Sequence, residues 1–114
     1  MKTELNVLAD SLACCPPLLD EPISMGEAEV AARVFKALGD PNRVRLLSVI
    51  ASSAGREACV CDLLPGTTLS QPTVSHHLKV LHEAGILERE RRGNWVFYRI
   101  RPAALDAIGK AVSP

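Results

Sequence analysis

Large rings are scarce in this chain of 114 residues, which holds one Trp, one Tyr and two Phe. A small helical core with so few aromatics is hard to close alone, and such chains often complete it by pairing with a second copy. No run of 18 or more apolar residues occurs, so no stretch reads as a membrane span. The opening MKTELNVLADSLACCPP carries Glu4 and Asp10 and no solid apolar block, which argues against a secretory signal. The expected location is the cytoplasm, where thiols stay reduced. Net charge is missing too, since 13 basic side chains balance 13 acidic ones. That total argues against a nucleic-acid partner until its distribution is read. Residues 1–41 hold three Lys/Arg against seven Asp/Glu, whereas residues 70–101 hold six against three, with His76, His77 and His82 among them. The second half therefore has a local basic footprint. Also absent are a Cys-x-x-Cys motif and a βαβ pattern around the cysteines, which speaks against a thiol redox enzyme.

What is present is mainly helical. Residues 1–24 lack a helical period and contain Cys14-Cys15-Pro16-Pro17, so they read as an arm, partly extended, with a short helical piece near Glu4–Leu12. Residues 25–112 read as one folded domain. Val30, Val34, Phe35 and Leu38 recur at helical spacing over 25–38, and Gly39 stops that helix. Asp40-Pro41 supplies an N-cap and a proline at the first helical position for a helix over about 41–53, with Val44, Leu47 and Ala51 on one stripe beside Leu46 and Ile50. Gly55 precedes a short helix at Cys59-Val60-Cys61-Asp62-Leu63-Leu64, closed by Pro65-Gly66. Ser70 caps a helix over about 71–83, buried through Val74, Leu78 and Leu81. Residues 86–101 read as a β-hairpin turning at Gly93-Asn94, and Pro102 opens a last helix with Leu105, Ile108 and Val112 on one face.

A short helix, a turn and a second helix make a helix-turn-helix, and the hairpin adds a wing. With one stripe of the helix after Ser70 buried, its other sides present Gln71, Thr73, Ser75, His76 and Lys79. Such residues bond base edges and phosphates, and a helix start itself favours phosphate. His77 lies nearer the buried flank and reads as a packing residue. Arg89, Arg91 and Arg92 near the hairpin tip suit phosphate or minor-groove contact, with a plain solvated strand as the competing reading.

Half of the four cysteines fall in Glu57-Ala58-Cys59-Val60-Cys61. On a regular helix Cys59 and Cys61 would point about 200° apart, at about 100° per residue, unable to share an ion or reach each other. They share one only if the first turn leaves helical geometry. Four thiols and no carboxylate-rich cluster favour a soft ion over magnesium, calcium or manganese. The blander alternative is four small buried hydrophobes.

Three separated motifs, in order, carry a resemblance. Phe35-Lys36-Ala37-Leu38-Gly39-Asp40-Pro41-Asn42-Arg43-Val44-Arg45-Leu46-Leu47, then Cys59-Val60-Cys61-Asp62-Leu63, then Leu69 through Leu81 are similar to the ArsR/SmtB family of metal-sensing repressors. The resemblance covers about residues 25–110. It implies a non-enzymatic, dimeric winged helix-turn-helix protein that binds operator DNA and is released by a soft metal or metalloid. Ser70, Gln71, Thr73, Ser75 and His76 then fall on the family's recognition helix, and Cys59 and Cys61 match its Cys-Val-Cys. Further ligands would come from Cys14 and Cys15, on an arm able to reach across a dimer. Members with an adjacent Cys-Cys arm resemble arsenical sensors, which implies As(III) or Sb(III) as inducer. Cd(II) or Pb(II) remains the alternative, as does a thiol redox switch on the same scaffold. The family's zinc site needs histidine on the last helix, which here offers Asp106 and none, so it is not carried over.

Overall fold

The computed structural model describes residues 18–114, so Cys14, Cys15 and the helical piece expected near Glu4–Leu12 lie outside the described residues. Helix α1 spans Met25–Leu38 and opens with a reciprocal cap. The Glu27 N–H donates to Ser24 Oγ at 3.1 Å, and the Ser24 N–H donates to Glu27 Oε1 at 2.8 Å. Helix α2, Pro41–Ser52, starts as expected at Asp40, whose Oδ1 accepts from the Asn42 N–H at 2.8 Å and the Arg43 N–H at 3.3 Å. Some lost hydration works to raise the Asp40 pKa, but those two backbone donors hold it below the usual carboxylate range.

After a 3-10 turn at Ala54–Arg56 comes strand β1, Glu57–Cys59, then the one-turn helix α3, Val60–Leu63, and a second 3-10 turn, Leu64–Gly66. Helix α4 is Gln71–Glu83. It runs into strand β2 (Leu87–Arg92), strand β3 (Trp95–Ile100) and helix α5 (Pro102–Ala111). The hairpin turns at Gly93, whose φ of 62° belongs to the left-handed region. The sheet has three antiparallel strands in the order β1-β3-β2. The architecture is thus mainly α with a β wing, a winged helix-turn-helix, and the wing is a strand larger than expected. Among the described residues no helix is long and apolar enough to cross a membrane.

The core forms where α1, α2 and α4 meet the base of the sheet. Val34, Ile50, Val74, Leu78, Leu81, Ile86 and Leu87 are sealed from solvent. Two expected stripes are corrected. In α2 the buried pair is Leu46 and Ile50, one turn apart, while Val44 is half exposed. In α5 the fully buried residues are Ala104, Ala107 and Ala111; Leu105 and Ile108 pack against the core partly covered, as expected, and Val112 is exposed. Leu19, Met25 and Val112 are left exposed in the chain, and the Leu18 N–H bonds the Ala111 carbonyl at 2.9 Å.

Leu78 is fully buried in this core. Truncation to alanine is expected to cost about 2–5 kcal/mol, read as a lower denaturation midpoint at unchanged slope.

Candidate functional site

The thiol segment does not begin as a regular helix. Cys59 pairs with Phe97 across the β1–β3 ladder and keeps extended backbone (φ −92°, ψ 167°) while capping α3. Only Cys61 lies within the helix. The change of backbone between them brings their Cα atoms to 5.3 Å, and the two Sγ atoms meet and are joined as a disulfide. The condition set by the sequence for the two sulfurs to meet, a first turn that leaves helical geometry, is fulfilled: pairing with the wing takes Cys59 out of the helix. Cys59 is buried and Cys61 exposed. With four residues, α3 offers only a small dipole to favour thiolate.

Asp62, passed over as a donor in the sequence, completes the cluster. Its Oδ2 accepts the Cys59 N–H at 3.2 Å, the second half of a capping arrangement three residues into the turn. The Cys59 and Cys61 sulfurs and an Asp62 carboxylate oxygen all lie within 4.8 Å of one another. Two soft donors and one hard donor suit a thiophilic or borderline ion, and a trivalent metalloid would still seek a third sulfur.

The helix after the turn bears the polar face expected of it. Gln71, Thr73, His76 and Lys79 are exposed and Ser75 is half-buried. Ser70 is exposed but engaged, since its Oγ accepts the Thr73 N–H at 3.3 Å and lies 2.9 Å from the Thr73 hydroxyl. His77 is buried, as its position on the flank indicated. Its Nδ1 lies 3.2 Å from an Arg43 guanidinium nitrogen, which only donates, so Nδ1 accepts and the ring proton sits on Nε2. The Arg43 Nε also donates to the Ala37 carbonyl at 2.6 Å. Arg43 thereby ties the end of α1 to α4 and fixes the pose of the polar face. Only its place beside the Asp40-Pro41 cap hinted at this. His82 is buried too, and its Nδ1–H donates to the Leu87 carbonyl at 3.0 Å, joining α4 to the wing.

On the wing, Arg89 and Arg91 are exposed. Arg92 is occupied within the fold. Its guanidinium donates to both Glu57 carboxylate oxygens at 2.8 Å, also to Glu90, and sits 4.5 Å over the Phe97 ring. The Arg92 hydrogen bond holds Glu57 below the ordinary carboxyl range, and Arg92 in turn is raised. Such a tie acts above the glutamate range and is lost as pH falls through the lowered value. It fastens β2 to β1, the strand that ends in Cys59.

The profile of bacterial regulatory proteins of the arsR family matches residues 40–89, from the cap of α2 into β2. An uncharacterized HTH-type transcriptional regulator of Methanocaldococcus jannaschii is 42% identical over 88 residues, 77% of this chain and 97% of that one. The arsenical resistance operon repressor of Staphylococcus xylosus is 38% identical over 77 residues, 68% of this chain and 71% of the repressor. Among solved structures, the AntR antimony-specific transcriptional repressor superposes with a TM-score of 0.64 at 33% identity, covering 81% of this chain and 84% of that one. Fold, motif order and relatives agree, and the chain belongs to the ArsR family of transcriptional regulators.

Proposed function

We propose that this chain is a transcriptional repressor of the cytoplasm that binds operator DNA as a homodimer and lets go when As(III) or Sb(III) bonds to its thiolates. The observation that carries this reading is the convergence of the Cys59 and Cys61 sulfurs at the first turn of the helix-turn-helix. The arm of residues 1–24 supplies the third sulfur, Cys14 or Cys15, from the same chain or the other; residues 25–112 hold the DNA-reading and dimerising parts. The exposed Leu19, Met25 and Val112 suit burial against a second copy. Gln71, Thr73, Ser75, His76 and Lys79 read bases and phosphates, Ser70 sets the helix start, and Arg89 and Arg91 take backbone charge. Arg92 braces the wing they stand on.

A thiol reductant first opens the Cys59–Cys61 disulfide, giving up two electrons and two protons and becoming a disulfide itself. Three cysteine thiols then exchange for the three hydroxyls of arsenious acid, releasing three waters with arsenic unchanged in oxidation state. Bonding at Cys59 pulls on β1 and α3 together, and so on the wing and on the support of α4.

A gel shift or anisotropy titration with the native promoter fragment tests the reading. Reduced protein is expected to prefer operator over random DNA at moderate salt, and stoichiometric arsenite to weaken operator binding by roughly 5–150-fold, the usual range of such couplings. Equal grip by loaded and empty protein overturns it. The Asp62 oxygen beside the sulfurs favours one second reading, Cd(II) or Pb(II), which accept mixed sulfur and oxygen donors. Under that reading Asp62→Asn blunts release by cadmium and leaves arsenite untouched.

A further inference from the structure

The polar face of α4 has two flanks. At about 100° per residue, Gln71 and Ser75 stand about 40° apart on one, and His76 and Val80 about 40° apart on the other. The first flank meets the wing, where Gln71 and Ser75 share a cleft with Asn94 and Trp95. The second meets α1, where His76 and Val80 share a groove of about 370 Å³ with Arg33 and Lys36. An α-helix with its side chains is about 10–12 Å across and fills a major groove about 12 Å wide, so a phosphate strand passes each flank. The wing brings Arg89 and Arg91 to one strand, and the other runs past α1.

We propose that α1 is a second phosphate seat, in which Arg33 and Lys36 hold the DNA strand on the side of α4 away from the wing. Both side chains are exposed, and among the described residues no acid pairs with either. On the wing, by contrast, Arg92 and Arg99 are already met by glutamates. Arg33 and Lys36 are three residues apart, so they share one face of α1 and repel each other there. Lys36 at least suits the last turn of the helix; Arg33, nearer the middle, has no such compensation. A polyanion relieves that repulsion. Arg43 completes a groove lined by three cations and one acid, Glu83. Its bonds to Ala37 and His77 fix α1 against α4, which holds both cations at a set place beside the polar face. Charge placed in advance grips phosphate with less ordering to be done on binding. Both cations precede residues 40–89, where the family profile matches, so the seat adds an element outside the helix-turn-helix and the wing. The inference rests on the operator-binding reading and deepens it: phosphate contact by α1 supplies affinity and register, while sequence choice stays with α4.

The test uses the full chain, reduced, with the native promoter fragment and a random duplex of equal length. Salt titrations compare the parent with Arg33→Gln, Lys36→Gln and the double variant. Each single change should weaken both DNAs by roughly 3–10-fold at about 0.1 M salt and lower the salt slope by about one; the double variant should lose about two. Lys36→Arg should keep the parent's affinity and slope. Ethylation interference reads the contact itself: some phosphates whose modification blocks the parent should cease to matter for the double variant. If the parent prefers operator and the double variant matches it in affinity and slope on both DNAs, the inference falls and the repressor reading stands. If the parent shows no preference for operator, the repressor reading itself fails and takes the inference with it. Loss on operator alone at an unchanged slope would make the pair a support for the pose of α4. A shifted dimer equilibrium in sedimentation would place it between copies. Either result overturns the proposal.

Discussion

Cys59→Ser is expected to bind operator DNA much as the parent does and to ignore arsenite. The serine hydroxyl is a hard donor that stays protonated at neutral pH, so one As–S bond has no replacement. Loss of a direct ligand should cost more than the roughly 10–100-fold of losing an outer-shell partner. The residues proposed to face DNA are themselves unchanged, and Cys59 is paired with Phe97 and 3% exposed. Burying a hydroxyl there costs about 1–3 kcal/mol without a partner, so Cys59→Ala serves as the apolar control with the same expected insensitivity. Cys61→Ser should behave alike, though its sulfur is exposed. Protein oxidised with a mild disulfide-forming reagent should also be blind to arsenite until a thiol reductant restores it. A Cys59→Ser protein that leaves DNA at the parent's arsenite concentration would remove the thiol pair from the mechanism.

Changes on α4 should act on the other half of the cycle. Gln71→Ala is expected to weaken operator binding by roughly 5–150-fold, the 1–3 kcal/mol of a good base contact, with random-DNA affinity little changed. Arg89→Ala and Arg91→Ala should weaken operator and random DNA alike and lower the salt slope by about one each. Salt titrations on both DNAs separate the two classes. Arg92→Ala should not follow its neighbours, because its charge is already met by Glu57 and Glu90; it should loosen the wing. A Gln71→Ala protein that loses operator and random DNA equally would mean that α4 does not read sequence.

Much of this was legible in residue order. The helices over 25–38 and 71–83 announce themselves through a regular apolar period, the first by its stop at Gly39 and the second by its cap at Ser70. These are local signals, and local energies decide them. Strand β1 is different. Nothing in Glu57-Ala58-Cys59 prefers extended backbone; the preference comes from Phe97, Tyr98 and Arg99, about forty residues on. The sequence could state the condition for the sulfurs to meet, a first turn that is not helical, but not the strand pairing that fulfils it. Asp62 was hidden for the same reason: its carboxylate meets the thiols only because Cys59 caps the turn. In α5 the apolar period was clear and Leu105 and Ile108 do pack on the core, yet the period did not say that the small Ala104, Ala107 and Ala111 would be the fully buried residues or that Val112 would stay exposed. Arg43 illustrates a third limit. A cation after a cap reads as surface, while its bonds to Ala37 and His77 exist only once α1 and α4 are packed.

Trp95 is the chain's single strong near-ultraviolet emitter, and it stands half in water within a few side chains of the two sulfurs. Heavy atoms quench indole light, and any shift of the hairpin alters the solvent around the ring. Under the proposed function the unlabelled protein would therefore be its own optical gauge of its inducer, needing neither dye nor gene reporter.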